Sequence, residues 1–141
     1  MPDVNLLDNC ATMSYSENMK KLVTKWFKKW SKKVNLSNQT LLEAIENLEH
    51  GLSTADLGAH LHKIRVKRSS RGKSSGFRTV VVYRKEDRAI FLYGFSKNEK
   101  ANIDASELAY FKKLGRDLLS LDADQINQSI EQQIMFDLEV E

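Results

Sequence analysis

Six of the eleven residues from 63 to 73 are cationic: Lys63, Arg65, Lys67, Arg68, Arg71 and Lys73. The stretch begins His62-Lys63-Ile64-Arg65-Val66-Lys67, in which basic and apolar residues alternate. Side chains alternate across a β-strand, so Lys63, Arg65 and Lys67 fall on one face and Ile64 and Val66 on the other. A further arginine, Arg78, follows the Gly76-Phe77 step at the start of the next apolar run. If those two runs pair, Lys63, Arg65 and Arg78 come together on a rigid sheet. Clustered cations on such a support can hold a phosphodiester and stabilise the charge that builds in its transition state. Arginine supplies fixed bidentate contacts to phosphate. Lysine can release a proton where neighbouring cations disfavour its charged form. The serine- and glycine-containing loop 69–75 would add backbone contacts that position a nucleic acid without reading its sequence. The competing reading of the same residues is a wet, charged face that docks an acidic partner.

Other chemistries find less support. Gly72-Lys73-Ser74 has the form of the end of a phosphate-binding P-loop, but Lys67 stands where that motif needs its first glycine. His50, His60 and His62 have neither a cysteine pair nor helical ligand spacing around them, so no metal site is expected. No Gly-x-Ser-x-Gly elbow occurs, which argues against a serine hydrolase. No paired glycine-rich cofactor loop is present and no cofactor is implied. Cys10 is the single cysteine. It has no internal disulfide partner, which suits a reducing cytoplasm.

The elements that must position the cations follow from periodicity. Residues 77–83 and 88–95 read as two more strands, the last the most apolar and suited to the middle of a sheet. Their short connections imply antiparallel pairing. Leu22 and Val23 suit a short strand. Trp26, Phe27 and Trp30 have the spacing of a helix face that seals against the sheet, with Lys25, Lys28, Lys29, Lys32 and Lys33 on its wet side. Ser37 caps a second helix carrying Leu41, Leu42, Ile45 and Leu48, and Gly51 stops it. Residues 35–37 turn between the two helices, which makes an antiparallel hairpin. Residues 53–59 read as a loop. Beyond the sheet, Asp104 with Glu107 has the form of a capping box ahead of Leu108, Phe111, Leu114, Leu118 and Leu121. Asp122 with Gln125 caps a last helix carrying Ile126, Ile130 and Ile134. The class is α+β: a helical hairpin on a small antiparallel sheet, then C-terminal helices.

With 141 residues the chain has room for one core. Residues 1–18 lack periodicity and read as a flexible N-terminal extension, residues 19–121 as the folded domain, and residues 122–141 as an acidic C-terminal helix or tail. The net charge of +3 conceals a strong asymmetry. Residues 19–100 hold 19 Lys and Arg against 7 Asp and Glu, whereas residues 101–141 hold 3 against 9. A basic block of this kind favours a polyanion, most often nucleic acid. No apolar run approaches the ~20 residues of a membrane span. Residues 1–18 lack the basic start of an export signal. A cytoplasmic protein without membrane contact is expected.

Several stretches, in order, resemble the RelE toxin family, and especially its branch near the HigB toxins. They are Lys25-Trp26-Phe27-Lys28-Lys29-Trp30, Ala55-Asp56-Leu57-Gly58, Lys63-Ile64-Arg65-Val66, Arg71-Gly72-Lys73-Ser74-Ser75-Gly76-Phe77-Arg78-Thr79 and Phe91-Leu92-Tyr93-Gly94-Phe95-Ser96-Lys97-Asn98-Glu99. They lie within a resembling region of about 85 residues, 20–104. The resemblance implies a compact toxin that enters the ribosomal A site and cleaves messenger RNA there. The 2′-hydroxyl attacks the adjacent phosphate, so RNA and not DNA is cut. It implies proton transfer and charge stabilisation by Lys63 and Arg65, the division between them open. It implies a phosphate clamp at Arg78 and RNA contacts from Lys67, Arg68, Arg71, Lys73 and Lys97. It implies a cognate antitoxin, either a helix-turn-helix protein or a disordered wrapper, through which alone operator DNA is contacted. Two positions depart from the family. Residues 99–104 lack the tyrosine that some RelE toxins carry after the position of Lys97, and Ser75 replaces one of two glycines. The alternatives are a ParE-type toxin directed at DNA gyrase, which shares the fold, and a toxin relic that only binds its antitoxin.

Overall fold

The computed structural model describes residues 19–52, 54–67 and 76–139. The chain opens with strand β1 (Lys20–Thr24), helix α1 (Lys25–Lys33) and helix α2 (Asn38–Glu49). Strands β2 (Thr54–Gly58), β3 (Leu61–Val66), β4 (Phe77–Arg84) and β5 (Arg88–Ser96) follow. Helices α3 (Ala105–Leu119) and α4 (Ala123–Glu131) and strand β6 (Met135–Asp137) close it.

The six strands form one sheet in the order β2-β3-β4-β5-β1-β6. The sheet is mixed, which corrects the expectation of an antiparallel one. β2 to β5 are an antiparallel meander, but β1 lies parallel to β5, with Leu22 beside Ile90. The reason is a long-range pairing that short connections do not reveal. β1 precedes the meander by two helices and returns to its far side. β6 then pairs antiparallel with β1, from Leu22 and Asp137 to Thr24 and Met135. Residues 54–58, read as loop, are an edge strand; the segment is exposed and lacks the alternation that marks a half-buried one.

Helices cover both faces. The α1/α2 hairpin packs Phe27, Leu41, Ile45 and Leu48 against Val23, Ile64, Val66, Phe77, Val81 and Phe91. On the other face, α3 and α4 pack Phe111, Leu119 and Ile126 against Leu22, Leu61, Val80, Val82, Ile90, Leu92 and Met135. Local signals set the helix ends. Thr24 and Ser37 side chains accept from Phe27 and Thr40 amides. Asp104 and Asp122 each form a full capping box, with Glu107 and Gln125. Gly51, at φ +73°, follows α2 in the left-handed conformation its lack of a Cβ allows.

Two details shape the site. The register between β4 and β5 slips at Leu92: Val80 faces Tyr93, but Val81 faces Phe91. The extra residue breaks strict alternation, so Leu92 and Tyr93 both join the α3 side. Gly94 lies under the Trp30 indole, where any Cβ would collide with the ring. Trp30 and Phe27 thus seal α1 to the sheet as expected. Trp26 does not: it is 47% exposed and stands at the margin, tilted against Tyr93. It flanks the buried side of α1 and leans on Tyr93 of β5, the ring centroids 4.9 Å apart.

Candidate nucleic-acid interface

Lys63 and Arg65 project from β3 on the side away from Ile64 and Val66, hence on the α3 side of the sheet. In the β3–β4 register Arg65 lies directly opposite Arg78, and Lys63 lies opposite Val80. The three cations therefore share one face. Two arginines opposed across antiparallel strands repel each other, an arrangement that weakens a sheet. Neither has an acidic partner among the described residues. Arg78 is half-buried, and its Nη1 is buried with no hydrogen-bond partner among those residues. An unsatisfied buried donor is costly, and an anion on this face would satisfy it. Arg65 is exposed and Lys63 half-exposed.

The loop before α3 borders this face. Asn102 Oδ1 accepts from Lys63 Nζ at 3.0 Å and from its own neighbour, the Ile103 amide, at 2.9 Å. The lysine head group is therefore aimed by a side chain that is itself held. Next to Arg78 in register is Phe95, and next to Val80 is Tyr93. Lys100 Nζ lies over both rings, 5.4 Å from Tyr93 and 5.8 Å from Phe95. It also donates to Tyr93 Oη at 3.4 Å and to Glu107 Oε2. Glu107 raises the Lys100 pKa through that bond. Lys100 in turn holds the Glu107 carboxyl below its ordinary range, aided by the Asp104 amide. Asp104 is lowered too, first by the Glu107 amide and then by the Ser106 hydroxyl. These groups, one cation and two carboxylates, form a hydrogen-bonded frame at the start of α3, beside cations that have no ion-pair partner among the described residues.

Of the other predicted contacts, Lys67 and Lys97 are exposed near the ends of β3 and β5, at the sheet end that carries Arg65 and Arg78. Arg68, Arg71 and Lys73 lie outside the described residues. Asn102 and Lys100 were not singled out from sequence. Asn102 sits in an irregular loop with no periodicity to flag it, and only its contact with Lys63 marks it. His62, on the opposite face, lies edge-on to Tyr83 at 5.9 Å and 3.5 Å from Thr54 Oγ1. Burial lowers its pKa, against an opposing pull from Asp56. Its face places it away from the cations. No group of three or more metal-ligating side chains occurs among the described residues.

A family model for the RelE toxin of the RelE/RelB toxin–antitoxin system matches residues 19–138. The chain belongs to the RelE toxin family. Comparison with curated proteins finds no match. Family membership makes this chain the toxin of a toxin–antitoxin pair, whose partner in the RelE/RelB system is a RelB antitoxin. The match takes in α4 and β6 as well as the sheet, so this RelE toxin's last strand falls within the family's bounds. No described helix is long and apolar enough to cross a membrane.

Proposed function

We propose that this RelE toxin is an endoribonuclease that cuts messenger RNA in the ribosomal A site. The observation that carries the reading is the Arg65–Arg78 juxtaposition, with Lys63 on the same face and no ion-pair carboxylate for them among the described residues. A fold does not keep opposed, unpaired arginines for stability. A phosphodiester is the ligand that makes the pair favourable.

In the reaction the 2′-oxygen attacks the neighbouring phosphorus, and the bond to the 5′-oxygen of the next nucleotide breaks. A proton leaves the 2′-hydroxyl and one reaches the departing 5′-oxygen. Lys63 and Arg65 transfer protons and stabilise charge; Asn102 fixes the direction of the Lys63 amine. Arg78 clamps the phosphate from the strand opposite Arg65. Lys67, Arg68, Arg71, Lys73 and Lys97 hold the RNA backbone on either side, and the RelB-type antitoxin keeps the toxin silent until released.

Cleavage of one labelled messenger RNA, with and without programmed ribosomes, tests this. Cuts confined to A-site codon positions on ribosomes are expected. Arg65→Ala and Arg78→Ala should each slow cleavage by about 10²–10³-fold, the usual cost of losing a preorganised transition-state contact. The double variant should no longer arrest growth yet should still bind antitoxin. A double variant that still arrests growth would refute the site. Protein that arrests growth without cutting RNA would favour a gyrase-directed toxin.

A further inference from the structure

Four large hydrophobic side chains are exposed among the described residues: Trp26, Leu52, Tyr110 and Ile134. Three of them, Trp26, Tyr110 and Ile134, line a single groove of about 450 Å³. One wall is α3, through Tyr110, Leu114 and Leu118. These recur at four-residue steps, so the wall is one helix stripe about 12 Å long at a 1.5 Å rise per residue. The other wall is the start of α1 and the entry to β6, and the buried Leu92 of β5 lies at the floor. The groove offers little to a polar ligand. Thr24 is engaged as the cap of α1, accepting from the Phe27 amide, and Tyr93 Oη accepts from Lys100. Lys25 at the rim is exposed and has no ion-pair partner among the described residues. The fitting occupant brings apolar side chains with a carboxylate beside them.

The chain itself carries such a segment. Residues 1–18 precede the described fold and hold Asp3, Asp8 and Glu17 with no Lys or Arg. Within them, Asp3-Val4-Asn5-Leu6-Leu7-Asp8 sets apolar residues between two carboxylates. No other stretch outside the described residues has this character, since 68–75 consist of Arg, Lys, Ser and Gly, and 53 and 140–141 are too short. The described fold also begins at the Leu118 end of the groove. The Lys20 amide donates to the Asp87 carbonyl at 3.0 Å, and Lys20 pairs with Arg88. Arg88 in turn donates to the Leu118 carbonyl. Twelve Cα–Cα steps separate Leu7 from Met19. They reach up to roughly 40 Å at ~3.3–3.6 Å each, against about 13 Å for the length of β1 from Lys20 to Thr24.

We propose that residues 3–8 of this chain seat in the groove as an intramolecular strap. Val4, Leu6 and Leu7 cover Trp26, Tyr110 and Ile134. Because the chain arrives from the Leu118 end, Asp8 stays near that end and Asp3 reaches Lys25 beside Trp26. Covalent attachment makes the docking intramolecular, so the strap outcompetes a second copy or a partner of similar intrinsic affinity. Seated there, it borders the cation face, since Tyr93 lines the groove and also accepts from Lys100.

Cys10, the single cysteine, follows the strap closely and takes a nitroxide spin label without any substitution. The test is NMR of the labelled full chain. Signals of Tyr110, Leu114 and Ile134 should broaden strongly, while those of Leu52, exposed after α2 on the other side of the sheet, should stay sharp. The Leu6→Asp/Leu7→Asp variant should lose that difference. Both substitutions lie ahead of the described fold, and unchanged signals from buried residues such as Ile45 and Ile90 would show that the fold is kept. Equal broadening at Leu52 and in the groove overturns the proposal, as does broadening that the double substitution leaves intact. Broadening that vanishes when labelled chain is diluted into excess unlabelled chain also overturns it and assigns the groove to a second copy. Groove signals that stay sharp in the labelled wild type overturn it as well and leave the groove to another protein.

Discussion

Arg78 and Arg88 lie on neighbouring strands, and their surroundings give them different work. Arg88 is 7% exposed, and its head group is engaged through Nε and Nη1. Its Nε donates to Asp87 at 2.9 Å and its Nη1 to the Leu118 carbonyl at 2.8 Å. Arg84 donates to the same Asp87 and to the Leu119 carbonyl. The two arginines thereby satisfy carbonyls at the end of α3, which have no intrahelical partner, and complement its dipole. Arg78 has a buried Nη1 with nothing to donate to among the described residues. Replacing Arg88 by Met should lower stability by about 2–3 kcal/mol, the worth of charge-assisted bonds at a buried site, and leave antitoxin binding intact. Urea denaturation would measure it; a change under 0.5 kcal/mol, roughly the scale of a neutral surface substitution, would show that Arg88 is not structural. Removing the Arg78 head group should do the reverse, costing activity and little stability.

At the scale of elements, α3 begins where the cations are, and its first turn is held by ionised groups. Glu107 and Asp104 are stabilised as carboxylates by Lys100, by backbone amides and by Ser106. Their folded pKa values lie below their unfolded ones. Their contribution is therefore complete above the ordinary carboxylate range and is lost as pH falls through the lowered values. Lys100 is raised, so its contribution is complete below its ordinary value and disappears at strongly alkaline pH. Stability should fall modestly as pH drops through the ordinary histidine range, because burial lowers the His62 pKa, and more steeply below about pH 4 as Glu107 and Asp104 are protonated. Glu107→Gln should lower stability at neutral pH and shrink the acid limb, the two proteins converging at the lowest pH. Thermal melts by circular dichroism from pH 2 to 7 would read this, and identical acid limbs in both proteins would contradict it. The β2–β3 hairpin carries a different signature. Ala59 and His60 both have positive φ, at +55° and +66°. Two such residues make the turn that matches strand twist, usually built from Asn and Gly. Ala-His carries no such signal, so the turn, and with it β2, was hidden.

For the molecule as a whole, β6 is the smallest element and closes the largest gap. Met135 is 1% exposed in the second core, between β1 and the C-terminal helices, and Leu138 reaches the first core. Ile134 beside it is 52% exposed. Two residues of similar hydrophobicity, adjacent in the chain, are thus separated by the direction β6 imposes. Met135→Ala should cost about 2–5 kcal/mol, since the cavity lies between a strand and two helices that cannot collapse together. Ile134→Ala should cost less than 1 kcal/mol. Equal effects in chemical denaturation would mean that β6 does not hold the C-terminal layer to the sheet.

The helices, their caps, the three strands β3 to β5 of the meander and the shared face of Lys63 and Arg65 were legible in the chain, because each depends on neighbours within a few residues. Ser37, Asp104 and Asp122 announce their helices by local hydrogen-bond chemistry, and the alternation through residues 62–67 announces its face. The parallel placing of β1 beside β5, the strand at 135–137 and the exposure of Trp26 were not legible, because each depends on which distant segment arrives alongside. The same division runs through the site. Sequence named Lys63, Arg65 and Arg78 as a set. Only the β3–β4 register brought Arg65 opposite Arg78, and only the loop before α3 brought Asn102 to the lysine. Local periodicity decides which way a side chain points. Pairing across the sheet decides what it meets, since partners far apart in the chain leave no mark in its local pattern.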